Sequence, residues 1–499
     1  MTSNQVKPAL QWAQSWLKQP KKHLINGEWY MSESSDAYTS INPTNGDPLT
    51  TIPVASEHDV NLAVEASRAA FNDKIWRGQS RKQRRQVMTK IGELIRNHQH
   101  ELATLESLDN GMLWSEAYDG NMPDCSDIFD YYGSWADKLY GSKVPTEEGV
   151  LNYTEWQPLG VVGLIVPWNF PLLMAMWKVA PALVAGNSIV IKPSSATSTS
   201  LIRLCELIHE HQLLPAGVLN LVLGSGKTGD AIAHHDDIQK ISFTGSTVVG
   251  RKLVSASAAS NLKQLTLELG GKSPNIIFAD APNLQAAIDR SFDLTMSQKG
   301  EKCSEPTRLY VHESIYEKVV EQMSAKAEAV VCGDPFDDKA QQGPQCTEDH
   351  MNQILKYIEQ GRKDGRITAG GCRDTKGDNA KGFFVRPTII VDLPHDSTVV
   401  QEEIFGPVLT IHKFASEEEA IQLANDSKYG LAAGLWTADA SRAHRVASQL
   451  EAGMIFVNKY GCYDFASPFG GIKQSGWGKE MAADSLKAFS QEKSIWLTL

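Results

Sequence analysis

Seven cysteines are spread over the 499 residues, and one stands where a thiol could do chemistry. Cys303 follows Gly300-Glu301-Lys302, a polar approach that argues against a buried apolar setting. A cysteine thiolate is strongly nucleophilic and can carry an acyl group as a thioester that water cleaves. Cys205, inside an apolar helical stretch, reads instead as a small buried hydrophobe. Glu268 lies late in the apolar run Leu265-Thr266-Leu267-Glu268-Leu269, where a buried carboxylate is costly. Taken singly it reads as half of a structural ion pair. Followed by Gly270-Gly271, it reads as facing a cavity with room for water, where desolvation moves a carboxyl toward neutrality and suits it to general-base work. Gly245 and Ser246 open a helix whose N-terminus can hold a phosphate group, with Gly250 allowing close packing.

These residues need a scaffold, and the chain supplies a regular one. Leu24-Ile25-Asn26-Gly27-Glu28-Trp29-Tyr30 reads as a hairpin with Asn-Gly at its turn. Residues 57–110 read as helices, with Ala63, Ala66 and Ala70, then Val87, Ile91 and Leu94, at helical spacing, and Asn110-Gly111 as a stop. From Gly160 the pattern becomes apolar strands alternating with helices: Gly160–Val166, a helix to Ala185, Ser188–Ile191, a helix Leu201–Gln212, Val218–Leu223, a short helix around Ala231, Ile241–Phe243, a helix over 247–258 and Leu265–Leu269. Unalternating apolar strands between helices indicate a parallel sheet covered on both faces, and such sheets bind ligands beyond the carboxyl ends of their strands. A second alternation from about 274 to 470 indicates a second α/β unit.

Several segments fall at strand ends: Val166-Pro167-Trp168-Asn169-Phe170-Pro171, Lys192-Pro193-Ser194-Ser195, Phe243-Thr244-Gly245-Ser246 and Leu267-Glu268-Leu269-Gly270-Gly271-Lys272-Ser273. Further on come Gly300-Glu301-Lys302-Cys303, Glu403-Ile404-Phe405-Gly406-Pro407 and Ser467-Pro468-Phe469-Gly470-Gly471. In this order, over nearly the whole chain, they closely resemble the aldehyde dehydrogenase superfamily. The resemblance implies an α/β fold with a parallel-sheet cofactor-binding domain (1–138 and 159–270), an α/β catalytic domain (271–478) and a small oligomerisation arm (139–158 and 479–499), assembled as a homodimer or homotetramer. It implies oxidation of an aldehyde to its carboxylic acid with NAD or NADP, through a thiohemiacetal on Cys303, hydride transfer and thioester hydrolysis.

Residue by residue, the resemblance makes Cys303 the nucleophile, Glu268 the general base and Asn169 an oxyanion donor beside the Cys303 backbone N–H. A donor of that kind is typically worth about 100- to 1000-fold in rate. Val166, Pro167, Trp168, Gly226, Gly245, Ser246, Gly250 and Leu269 fall in its cofactor site, where Lys192 resembles the adenosine ribose contact, Glu403 the nicotinamide ribose ligand and Phe405 the ring beside it. Lys178 and Glu480 match positions that in some relatives pass protons to bulk solvent, though by type alone both read equally as surface charges. Asp124, Phe170, Trp177 and Tyr463 fall on the substrate tunnel.

The sequence also departs from the family pattern. Ser195 stands three residues after Lys192, where strict NAD enzymes of the family often carry Glu. A Ser removes the repulsion of a 2′-phosphate, which Lys192 and Lys227 could pair with, so NADP is expected alongside NAD. Ser297 and Glu305 are unusual neighbours of Cys303 and alter the wall beside it. Asp124, Asp127 and Asp130 share a helix face by spacing, and Asp464 follows Tyr463. Acid and aromatics at a tunnel mouth suit a cationic aldehyde such as betaine aldehyde or an aminoaldehyde, while the plainer reading is a solvated acidic helix face.

The net charge of −11 provides no cationic excess for nucleic acid, and no apolar run is long enough to span a bilayer. The opening residues lack an apolar signal region, and the odd cysteine count without a CxxC argues against a disulfide framework, so a cytoplasmic protein is expected. Leu223-Gly224-Ser225-Gly226-Lys227-Thr228 invites a P-loop reading, but Leu221 occupies the position of its first glycine. His209-Glu210 lacks the second His of a zinc motif, so no metal is expected. Glu268 argues against a CoA-acylating relative, which dispenses with the base. A plain thiol hydrolase would need no cofactor site, and a non-enzymatic descendant would be free to lose Cys303, Glu268 or Asn169.

Overall fold

The computed structural model describes residues 3–498. Its first sheet has eight strands, in the order Glu28–Tyr30, His23–Ile25, Leu219–Leu221, Ser188–Lys192, Val161–Ile165, Lys240–Thr244, Gln264–Glu268, Gly476–Trp477. The five central strands are parallel. Val161–Ile165, Ser188–Lys192 and Lys240–Thr244 are buried at every residue, because helices cover both faces; hence the unbroken apolar runs in the sequence. The hairpin turns through Asn26 (φ 54°) and Gly27 (φ 74°), the left-handed pair that a two-residue turn requires. Gly476–Trp477 closes the far edge antiparallel to Leu267–Glu268. The segment 271–478 thus lends its last strand to the first sheet.

Strand order creates the site. The chain lays down Val161–Ile165, steps outward through Ser188–Lys192 to Leu219–Leu221, then crosses back to place Lys240–Thr244 on the other flank. Ile165 and Phe243 are register partners at this reversal. The connections leaving the two strands part in opposite directions there and open a crevice at their carboxyl ends.

The helix Pro171–Ala185 leaves the first of these ends. Proline at its first position supplies a preset φ without sacrificing a useful donor, and Gly186 (φ 102°) terminates it. Its residues are buried from Pro171 to Val184, Lys178 among them. The helices Glu57–Asn72 and Arg81–Asn97 each begin with a capping box, Ser56 with Asp59 and Ser80 with Gln83. Gln99–Asn110 ends at Gly111 (φ 80°). The N-terminal stretch is also a helix, Ser3–Leu17. It docks by burying Ala13 and Leu17 and by Trp16 Nε1 donating to Glu206 Oε2 at 2.7 Å.

A second sheet has seven strands, ordered Arg366–Ala369, Thr388–Val391, Val408–Phe414, Arg308–His312, Pro274–Ile277, Ala432–Trp436, Met454–Val457. All are parallel except the first pair. Ser490–Thr498, Val150–Pro158 and Lys143–Val144 form a separate antiparallel sheet. Among the described residues no helix is long and apolar enough to cross a membrane.

Candidate active site

A cavity of about 1180 Å³ opens at the carboxyl ends of the first sheet and reaches the second unit. Its wall contains Val166, Pro167, Trp168, Asn169 and Phe170 from one strand end, Lys192 and Ser195 from the next, and Gly226 from the start of the helix Gly226–His234. Gly245 and Ser246, then Glu268 and Leu269, complete that side. Cys303, Glu403 and Phe405 face them, and Asp124, Trp177 and Tyr463 line the remaining wall. Gly250, Lys178 and Glu480 lie outside the lining.

The loop that delivers Cys303 is held in an unusual backbone. Gln298 (φ 50°), Lys299 (φ 63°) and Gly300 (φ 73°) are consecutive left-handed residues, a conformation that persists in non-glycine residues only when the surroundings impose it. Gln298 Nε2 donates to Asn110 Oδ1 at 3.0 Å and Asn169 O at 2.6 Å. Lys299 Nζ donates to Asn110 O at 2.8 Å and pairs with Glu301 Oε2 at 2.8 Å. Asn110 Nδ2 donates back to Trp168 O at 2.8 Å. The Asn169 side chain, 5% exposed, donates from Nδ2 to Glu301 O at 2.8 Å. An amide NH₂ carries two protons, so a second donor remains. A Cβ at Gly271 would lie 2.1 Å from Cys303 O, so only glycine lets the two loops approach this closely.

Cys303 is half-buried. Burial pushes its thiol well up, and the Glu403, Glu268 and Glu305 carboxylates add to that. The thiolate therefore needs a base. Glu268 is 2% exposed and neither oxygen has a hydrogen-bond partner among the described residues. Burial, then the neighbouring Glu480 charge, hold its carboxyl far above the ordinary range, against Lys178 and Lys479. Lys178 and Glu480 are not surface charges. Both are buried and paired with each other, and Lys178 Nζ also donates to Thr244 Oγ1 at 2.7 Å. A sequence separation of 302 residues hides that pairing.

At the other end, Ser246 caps the helix Thr247–Ala259, accepting from Val249 N at 3.4 Å. A Cβ at Gly250 would lie 2.7 Å from Leu269 Cδ2, so the helix packs tightly on the strand that carries Glu268. The N-terminus of this helix thus faces the cavity, with a positive dipole end suited to phosphate. Lys192 Nζ donates to Pro193 O at 2.6 Å and Gly224 O at 3.1 Å, and burial lowers its ammonium to about 8. Ser195 is half-buried, and Lys227 lies exposed on the same wall. Glu403 Oε1 accepts from Gly271 N at 2.9 Å, and burial pushes its carboxyl up to about 7. Phe405 is left-handed (φ 58°) and meets Trp168 edge-on, ring centroids 5.2 Å apart. His350, which sequence reading missed, packs on both rings, and burial lowers it to about 4, so it is neutral.

Around the tunnel, Phe170 and Trp177 join Phe465 and Phe469, two further aromatic residues that the sequence reading did not single out. Asp124 and Asp464 are exposed in the wall, and neither has a cationic partner among the described residues. Asp127 and Asp130 are drawn away by Arg96 of a neighbouring helix, at 3.1 and 2.6 Å. The acidic face suggested by spacing therefore contributes one carboxylate to the tunnel. The segment before it, Glu116–Asn121, is π-helical, and Glu116 Oε1 accepts from Gln298 N at 3.1 Å. Lys302, read from sequence only as a polar neighbour, also lines the cavity.

Fold and site define a two-sheet α/β protein with a cysteine at the head of a crevice large enough for a dinucleotide. The chain belongs to the aldehyde dehydrogenase family, enzymes that oxidise aldehydes; the family model matches residues 29–495. It is similar to an aldehyde dehydrogenase of Enchytraeus buchholzi, 42% identical over 95% of each chain. Human retinal dehydrogenase 2 is 41% identical over 95% of this chain and 91% of its own. The NAD+ complex of aldehyde dehydrogenase from Bacillus cereus superposes with a TM-score of 0.94 at 41% identity, covering 97% of this chain and 98% of that one.

Proposed function

We propose that this chain oxidises an aldehyde to the free carboxylic acid with a nicotinamide dinucleotide, Cys303 being the nucleophile. The observation that carries this reading is that Cys303, Glu268 and Asn169, from three separate segments, line one cavity that also takes in the helix N-terminus at Gly245 and Ser246. Cys303 Sγ attacks the carbonyl carbon and its proton passes to Glu268. The free N–H of Asn169 Nδ2, with the Cys303 backbone N–H, receives the developing oxyanion. The residues that would hold the dinucleotide are Ser246 and its helix N-terminus for the phosphates, Lys192 and Glu403 for the riboses, and Phe405 with Trp168 for the ring. What the dinucleotide supplies when bound is a hydride acceptor. Once the Cys303 proton has left Glu268 by way of the buried Lys178–Glu480 pair, Glu268 takes another from the water that cleaves the thioester and returns it to the departing Cys303 sulfur. The test of the reading is release of free acid without added CoA, preceded by a burst of reduced coenzyme stoichiometric with Cys303.

Asn169→Ala lowers kcat/KM about 100- to 1000-fold for every aldehyde and leaves coenzyme affinity unchanged. Steady-state kinetics with coenzyme titration by fluorescence checks this; a fall of less than tenfold would remove Asn169 from the oxyanion site.

For the coenzyme we propose NADP besides NAD. Ser195 places no carboxylate where a 2′-phosphate would sit, and Lys227 is free to meet one. The expected preference between the two coenzymes in kcat/KM stays below about a thousandfold, roughly 4 kcal/mol. Ser195→Glu should lower kcat/KM with NADP while sparing NAD; equal loss with both would contradict the assignment. For the substrate, Asp124, Asp464 and the aromatic wall favour an aldehyde with a cationic far end. We assign coenzyme binding to 1–138 and 159–270, the thiol-bearing unit to 271–478, and homodimer or homotetramer contacts to 139–158 and 479–499, where Val144, Trp496 and Leu497 are exposed.

A further inference from the structure

Lys302 and Glu305 flank Cys303 and have no part in the reaction described above. Lys302 Nζ lies 3.2 Å from Glu305 Oε1 and donates to Ser297 Oγ. The two partners face different surroundings. Lys302 is half-buried and lines the cavity that also holds Cys303. Glu305 is 3% exposed and sits behind the wall, outside the cavity lining. Neither Glu305 oxygen accepts a well-aligned hydrogen bond among the described residues. Lys302 is therefore its main stabilising partner, and burial still pushes the Glu305 carboxyl up to about 7. Lys302 and the exposed carboxylates Asp124 and Asp464 line the same cavity as Cys303, so charges of both signs meet a substrate there.

An ammonium has three donors. Ser297 Oγ takes one and Glu305 holds the ammonium by charge, so a donor remains for the cavity that Lys302 lines. From this geometry we infer that Lys302 is a specificity-determining residue, kept in place by Glu305 as a positioning residue, that selects aldehydes bearing a hydrogen-bond acceptor close to the carbonyl carbon. The inference rests on Cys303 being the nucleophile. The physical reason is asymmetric: an acceptor on the substrate satisfies the inward donor, while an alkyl chain in the same place desolvates it without return. With Asp124 and Asp464 exposed on the same cavity wall, the substrate class becomes an aldehyde with an acceptor near its reacting end and a positive charge elsewhere on the molecule.

Methoxyacetaldehyde and butanal differ chiefly by one ether oxygen in place of a methylene, so the ratio of their kcat/KM values reads the inward donor. Lys302→Met should lower that ratio about tenfold or more, and Lys302→Arg should retain most of it. Glu305→Gln keeps the volume and removes the countercharge, so kcat/KM for succinic semialdehyde should rise several-fold relative to butanal. The burst amplitude with NAD counts competent sites in each variant, which separates selectivity from folding. An unchanged ratio in Lys302→Met with an intact burst, or a parallel loss on all aldehydes, overturns the inference. If Lys302→Met does not fold, a Glu305→Gln protein with wild-type charge preference overturns it instead. A wild-type protein without a burst on any aldehyde defeats the nucleophile assignment, and this inference falls with it.

Discussion

Cys303→Ala protein binds the dinucleotide with wild-type affinity and turns over aldehydes at least roughly ten-thousandfold more slowly, the scale seen when a covalent nucleophile is removed. The loss is this large because no other thiol can substitute. Cys125, Cys205, Cys332 and Cys346 are buried, and the exposed Cys372 and Cys462 do not line the cavity. Coenzyme binding survives because Cys303 supplies no part of the helix N-terminus or of the Lys192 wall. Stopped-flow fluorescence of the reduced coenzyme, together with equilibrium titration, separates the two quantities. Residual turnover within tenfold of wild type would move the nucleophile elsewhere.

Glu268→Gln is the second large effect. General-base removal costs about 100- to 10 000-fold, and the loss should fall on thiol activation or thioester hydrolysis rather than on coenzyme affinity. The pH dependence follows from the environment. Burial, and then Glu480, raise the Glu268 carboxyl far above its ordinary range, and a base works only when deprotonated. Wild-type turnover therefore climbs as pH rises through that raised value, and the Gln variant loses this limb of the profile. The stability effect has the opposite sense. A group whose folded pKa is raised gives its stability below the unfolded value and loses it as pH rises through the folded one. The variant should thus unfold at a higher temperature than wild type in alkaline buffer and not in acid. Thermal midpoints across pH check the second claim and initial rates the first; a Gln variant with the wild-type profile would take the base role from Glu268.

What could be read from sequence follows from how local each signal was. The central strands were legible because burial on both faces removes polar residues from them, and the hairpin because Asn26-Gly27 serves one turn geometry. The helix Ser3–Leu17 was not: Pro8 and a polar face break its apolar period, and it is stabilised by Trp16 reaching Glu206 far along the chain. The left-handed Gln298 and Lys299 left no trace in sequence, since their backbone is imposed by Asn110 and Asn169 from other segments. Asp127 and Asp130 were counted with Asp124 because spacing fixes a shared helix face but not the helix that packs against it; Arg96 decides that question. Lys302 was passed over for the same reason, its exposure to the cavity being a property of the folded loop.

That Cys303 carries the substrate as a thioester is checked by acid-quenching the wild-type protein during the first turnover with NAD and an aldehyde and mapping the peptides by mass spectrometry. The expected result is one acyl group per active site, on Cys303, appearing with the burst of reduced coenzyme. Aldehyde oxidation accompanied by an unmodified Cys303 peptide, or by an acyl group on another side chain, would contradict it.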